Sequence, residues 1–228
     1  MDYSQVTHLL LDLDGTLLHF DLDRFVSRYL ELVEVYFRDH YNSKMIPNWI
    51  LEGTEKMLHN QGEVTNREIF LNYFSKRTGL SEEDIWQRFM NFYENDFNQL
   101  EKIIVQNPEA RKFLESAKKA GFALTIATQP VFPEIAIRQR LRWAGLDHIE
   151  FDLVTDINFM KSCKPYPSYF KQILRILNVD STDCLMIGDD PVNDMASSEV
   201  GIDNYYLGAG PEHTGDFKTL AAALRISL

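Results

Sequence analysis

From Asn107 onward the chain alternates short apolar runs with segments of helical period, and one more apolar run, residues 8–13, stands far upstream. Residues 122–127, 151–154, 184–187 and 205–207 read as strands. Between them, 133–144, 168–177, 194–199 and 216–224 read as helices. A further helix opens at Asn107-Pro108-Glu109, an N-cap followed by proline in the first turn, and closes at Gly121. Strands alternating with helices imply a parallel sheet covered on both faces. The run at 8–13 reads as a buried strand of the same unit, which makes that unit discontinuous.

The intervening stretch has no strand signal. Phe25, Tyr29, Leu32, Val33 and Tyr36 recur at helical spacing, predicting a helix over 22–40, and a second covers 49–59. Thr65 with Glu68, and Ser81 with Asp84, carry capping-box spacing. Trp86, Phe89, Met90, Tyr93, Phe97 and Leu100 give the last helix a broad apolar face. The expected class is α/β, a Rossmann-like three-layer core with a mainly parallel sheet and an inserted all-α helical bundle. The core would comprise 1–18 and 105–228, and the bundle, as a cap, 19–104.

Composition excludes several function classes. A net charge of −11 argues against a nucleic-acid surface, which needs a lysine and arginine stripe to neutralise phosphates. Two cysteines, Cys163 and Cys184, do not suggest a disulfide framework. No stretch reads as a signal peptide or is apolar for long enough to span a bilayer. The expectation is a soluble, cytoplasmic protein, monomeric or homodimeric, with neither nucleic acid nor membrane as partner.

In open parallel sheets, ligands bind beyond the carboxyl ends of the strands. Four polar clusters lie there: Asp12-Leu13-Asp14-Gly15-Thr16, Thr128-Gln129, Lys164 within Cys163-Lys164-Pro165, and Gly188-Asp189-Asp190-Pro191-Val192-Asn193-Asp194. Asp12 and Asp14 project to one side of an extended chain. Two such carboxylates can divide labour, one attacking phosphorus and the other moving a proton. An acidic turn is the rival reading. Gly15 permits the sharp turn, and the backbone N–H groups there are placed to face an anion. Asp189 suits a hard cation such as Mg²⁺, shared with Asp12 and the carbonyl of Asp14, while Asp190 and Asp194 orient the surroundings. Lys164 can neutralise developing charge and Thr128 can donate its hydroxyl. His19, Phe20 and Arg24, near the junction of core and bundle, are candidates to approach a leaving group.

In order and spacing these clusters resemble the four motifs of the haloacid dehalogenase-like superfamily, in its phosphatase branch with an α-helical cap between the first and second motifs. The resemblance covers nearly the whole chain. It implies Asp12 as nucleophile, Asp14 as general acid/base, Thr128 and Lys164 on the phosphoryl group, Gly15, Thr16 and Gln129 beside substrate, and Asp12, Asp14 and Asp189 around Mg²⁺, supported by Asp190 and Asp194. Gln129 departs from the asparagine often found there. The activity implied is Mg²⁺-dependent hydrolysis of a small phosphorylated metabolite. A dehalogenase needs neither Asp14 nor the acidic pair at 189–190. A phosphonate hydrolase needs a cap lysine, for which Lys44, Lys56, Lys76 and Lys102 are candidates. A sugar phosphomutase keeps both aspartates, and a non-catalytic binding or regulatory member keeps the fold alone.

Overall fold

Leu9, Leu10 and Leu11 are fully buried, yet they point to opposite sides of their strand. Leu9 and Leu11 join an apolar cluster with Phe113, Ile137 and Leu220, whereas Leu10 joins Tyr169, Phe170 and Met186. A strand buried on both faces belongs at the middle of a sheet covered by helices above and below.

The computed structural model describes residues 3–38, 43–208 and 216–228. The chain runs β1 (His8–Leu11), β2 (Leu18–His19), α1 (Leu22–Tyr36), α2 (Ile46–Leu58), α3 (Asn66–Thr78) and α4 (Glu82–Asn95). It continues through β3 (Val105–Gln106), α5 (Pro108–Lys119), β4 (Ala123–Ile126), α6 (Glu134–Trp143), β5 (Leu153–Val154), α7 (Pro167–Leu177), β6 (Cys184–Gly188), β7 (Asp203–Tyr206) and α8 (Phe217–Ala223). The main sheet is parallel, in the order β5-β4-β1-β6-β7. Side chains of α5, α6 and α8 pack on one face and those of α7 on the other, which gives three layers. Leu11 is in register with Ile126 and Ile187, so Asp12, Thr128 and Asp189 leave the sheet along one edge.

Helices α1–α4 assemble around Phe25, Tyr29, Phe74, Phe89, Phe92 and Phe97. The same cluster takes in Ala136, Trp143 and Ile157 from the α/β portion, so no water layer separates the two parts there. The Phe97 and Trp143 rings stack with centroids 5.3 Å apart. The capping chemistry read from sequence is present. Thr65 and Glu68 complete a reciprocal capping box, Ser81 accepts from the Asp84 amide, and Asn107 from the Ala110 amide.

Several boundaries differ from expectation. Where the chain leaves and re-enters the α/β portion, β2 and β3 pair antiparallel, Leu18 with Gln106 and His19 with Val105, a contact no local pattern announces. α4 stops at Asn95, and Phe97–Ile103 winds as a 3₁₀ helix. The expected helix at 194–199 is also 3₁₀, Met195–Val200, because the Asp194 side chain is engaged elsewhere and does not cap it. The expected helix end at His40 lies outside the described residues. No helix among the described residues is long and apolar enough to cross a membrane.

Candidate active site

β1 delivers Asp12 to the sheet edge, where it is 7% exposed. Its Oδ1 accepts from the Lys164 ammonium at 2.6 Å, and the same Nζ donates to Asp194 Oδ1 at 2.6 Å. Burial pushes the Asp12 carboxyl up to about 8, with Lys164 opposing and Asp194 and Asp14 adding to the rise. For Lys164, burial works downward, but Asp12 and Asp194 outweigh it and hold the ammonium well above its ordinary value. Lys164 therefore stays charged and screens two carboxylates from each other.

The loop after β6 is built around Asp190 and Asp194. The Asp190 carboxylate accepts from the amides of Val192 and Asn193, both at 2.8 Å, and from Asn193 Nδ2 at 2.6 Å. Its own amide donates to Asp194 Oδ2 at 3.0 Å. Asp194 is thereby fixed between the loop and Lys164. Gly188 has to be glycine, because a Cβ there would lie 2.1 Å from Asp194 Oδ2. Asp189 accepts from Thr16 Oγ1 at 2.8 Å, and burial raises its carboxyl against that hydrogen bond.

The contacts of Thr16, Gly15 and Gln129 bear on their expected places beside substrate. Thr16 is buried and orients Asp189, so its hydroxyl is not presented to substrate. The Gly15 amide donates to the Leu18 carbonyl at 2.8 Å, which removes it as an anion donor. Gly15 remains necessary: its φ is +90°, and an added Cβ would meet Asp189 at 2.1 Å. Gln129 pairs both ends of its amide with the Lys164 backbone, donating to the carbonyl at 2.9 Å and accepting from the amide at 3.1 Å. It thereby ties the loop that carries Lys164 to the end of β4, and it also borders the cavity. Thr128 borders the cavity. Its carbonyl is held by Thr155 Oγ1 at 2.9 Å and Tyr169 OH at 2.8 Å, which leaves the hydroxyl without a partner among the described residues.

One site residue escaped sequence reasoning. Arg140 is 1% exposed, its Nη1 donates to Asp14 Oδ2, and its guanidinium lies 4.8 Å from the centre of the Phe132 ring. Asp14 Oδ1 has no partner among the described residues. The signal was present: Ala136, Ile137, Arg140 and Leu141 form the buried face of α6 at i, i+3 and i+4 spacing. A cation on such a face needs a partner.

Asp12, Asp189 and Asp194 each offer a carboxylate oxygen, all within 4.8 Å of one another. Hard oxygen donors in this number fit Mg²⁺, and burial raises the Asp12 and Asp189 carboxyls, with Asp194 adding to the rise, a penalty on their ionised forms that a divalent cation would offset. The Asp14 carboxylate does not belong to this group, since it turns to Arg140.

A cavity of about 610 Å³ opens over these residues and extends between the sheet edge and α1–α4. Asp12, Asp14, Thr128, Lys164, Asp189 and Arg140 line its polar end. Of the three junction candidates, Phe20 lines it, while His19 and Arg24 do not. Lys44, Lys56, Lys76 and Lys102 are also absent from its wall.

The sequence profile of haloacid dehalogenase-like hydrolases matches residues 6–199. The chain belongs to that family. Among relatives of this haloacid dehalogenase-like hydrolase is a phosphoglycolate phosphatase of Colwellia psychrerythraea, 25% identical over 216 residues, spanning 91% of this chain and 87% of the relative. Among solved structures, a HAD phosphatase from Thermococcus onnurineus superposes with a TM-score of 0.59 at 19% identity, covering 96% of this chain and 98% of its own. A HAD family enzyme from Bacteroides thetaiotaomicron, in complex with magnesium and inorganic phosphate, gives 0.53 at 20% identity, over 94% and 98%. At such identities the superpositions establish the fold of this haloacid dehalogenase-like hydrolase.

Proposed function

We propose that this chain is a Mg²⁺-dependent phosphatase that hydrolyses a small organic phosphate monoester through an aspartyl-phosphate on Asp12, with residues 19–104 acting as a cap over the site. That it is a hydrolase of phosphate esters rests on the family and its phosphatase relatives. The observation that carries the mechanism is the Asp12–Lys164–Asp194 chain at the polar end of the cavity, with the Asp14 carboxylate two residues beyond the nucleophile.

Asp12 attacks phosphorus as a carboxylate. The bond to the ester oxygen breaks, and that oxygen takes a proton from Asp14. Arg140 holds Asp14 Oδ2, which leaves Oδ1 to carry the proton. Lys164 and the Thr128 hydroxyl stabilise negative charge on the transferring group, as preorganised donors do in a site shielded from water. In the second half, Asp14 takes a proton from water, the water oxygen attacks phosphorus, and the bond to Asp12 breaks, releasing phosphate. Asp12, Asp189 and the Asp14 carbonyl, with Asp194 alongside, would hold Mg²⁺, whose charge lets the nucleophile and the phosphoryl oxygens approach each other.

The paired strands β2 and β3 lie where the chain passes between the two parts, so they supply the hinge this reading requires. Asp14, together with the acidic loop at 188–194, favours phosphate esters over haloacids. Among the described residues no lysine from 19–104 lies on the cavity wall, which does not favour phosphonate hydrolysis. The test is phosphate release from a monoester panel with and without Mg²⁺. Turnover is expected only with the cation, and none in Asp12→Asn. Wild-type rates in that variant would end the aspartyl-phosphate reading.

A further inference from the structure

The phosphoryl end occupies only part of the cavity. Its remaining wall is formed by Val26, Leu30, Ile50, Leu51, Phe70 and Trp86 from α1–α4, facing Val131, Phe132 and Ile157 from the α/β portion. Tyr29 and Tyr93 also border it, but their hydroxyls bond to each other at 2.9 Å, and burial pushes the Tyr29 phenol up to about 12. Among the described residues between 19 and 104, no lysine, arginine or histidine borders the cavity.

Among the described residues, the charged groups on the wall lie at the sheet edge, where five carboxylates face two cations. Both cations are already engaged, Lys164 by Asp12 and Asp194, and Arg140 by Asp14. A phosphate dianion with one divalent ion leaves this balance negative. Among the described residues, a second anionic group on the substrate, such as a carboxylate, would find only the two unpartnered nitrogens of an arginine already paired to Asp14, and mainly apolar wall beyond.

Resting on the phosphatase reading, we propose that the substrate is a phosphate monoester whose leaving group is uncharged and mainly apolar, an alkyl or aryl alcohol seated among the side chains of α1, α2 and α4. Burial of that group supplies binding that a small, charged leaving group cannot obtain from this wall.

Ethyl, butyl, hexyl and benzyl phosphate, compared with phosphoglycolate and phosphoserine, test this. kcat/KM is expected to climb by about fourfold per buried methylene until the cavity fills. Hexyl and benzyl phosphate should exceed phosphoglycolate by about tenfold or more, which corresponds to one uncompensated interaction. Leu51 borders the cavity yet is 48% exposed, so Leu51→Arg can place a cation at the wall without burying it. That variant should narrow the ratio by about tenfold or more. The proposal is overturned if phosphoglycolate or phosphoserine matches or exceeds hexyl phosphate. Such a result lost on Arg140→Met would identify Arg140, two of whose nitrogens lack partners, as the anion's receptor.

Absence of turnover on every ester would instead refute the phosphatase reading. The cavity is then judged by calorimetry with Mg²⁺: tighter binding of hexylphosphonate than of phosphonoacetate sustains the apolar assignment, and the reverse order overturns it.

Discussion

Removing divalent cations should make the protein less stable as pH rises from about 5 to 8, opposite to the usual effect of acidic groups. Asp12 is the main cause. Burial lifts its carboxyl to about 8, against about 3.9 in an unfolded chain. The folded state therefore holds a proton that the unfolded state has released. The stability this provides is complete below the unfolded pKa and is lost as pH climbs through the folded one. At about 1.4 kcal/mol per unit, a span of about four units sets a ceiling of about 5 kcal/mol. Water entering the cavity relaxes part of the burial penalty, so about 2–4 kcal/mol is expected. Asp189 is raised in the same sense, whereas Asp152, Asp190 and Asp216 are held low and lose their contribution only in more acidic solution. Urea unfolding in EDTA, followed by the fluorescence of the three tryptophans, should show a midpoint falling by about 1–2 M across this range. Saturating Mg²⁺ should flatten the dependence, because the cation favours ionised ligands. Asp12→Asn should remove most of the slope and be more stable than wild type at pH 8 in EDTA, a trade of stability against function. A flat or rising midpoint in EDTA, or an undiminished slope in Asp12→Asn, would refute the reasoning.

Arg140→Met keeps apolar volume beside Phe132 but frees Asp14; kcat should fall by about a hundredfold with KM little changed, and an unaltered kcat would dismiss Arg140 as a positioning residue. Gly188→Ala drives a methyl group into Asp194, and both thermal stability and Mg²⁺-dependent turnover should drop, the former by about 1–3 kcal/mol. Asn66 is fully buried where α3 meets the loop after β4, taking a hydrogen bond from Asn60 at 2.7 Å and giving one to the Pro130 carbonyl at 3.0 Å. Asn66→Ala should cost about 1–3 kcal/mol by urea unfolding, and no loss would mean these bonds are replaced by water.

Features set by local chemistry were legible in the sequence. Caps at Thr65, Ser81 and Asn107 involve groups within three residues, and the apolar run at 8–11 announces a strand wet on neither face. Features created by distant partners were not. β2 and β3 are two residues each, and neither has a pattern apart from the other. The strand expected over 151–154 shrinks to Leu153–Val154 because the Asp152 carboxylate accepts the Leu124 amide at 2.9 Å, and a side chain takes the place of a ladder bond.

The site divides along the same line, and the division explains why substrate choice is hard to read from a sequence. Asp12, Thr128 and Asp189 follow consecutive apolar strands, so the rule that parallel strands end together predicts their meeting. Thr16 and Gln129 sit in the same motifs, yet their hydrogen bonds turn them onto Asp189 and the Lys164 backbone, a choice made by geometry. The cavity wall is the extreme case. Tyr29, Ile50, Phe70 and Phe89 lie on the buried faces of α1, α2, α3 and α4 and belong to the core of that part. They also border the cavity. An apolar face records which side chains leave water, while whether the space before them is filled by protein or kept for a ligand depends on how four helices are set against a sheet. The strand-end residues Asp12, Thr128 and Asp189 can thus be read from sequence, whereas Arg140 and the apolar wall emerge only from packing.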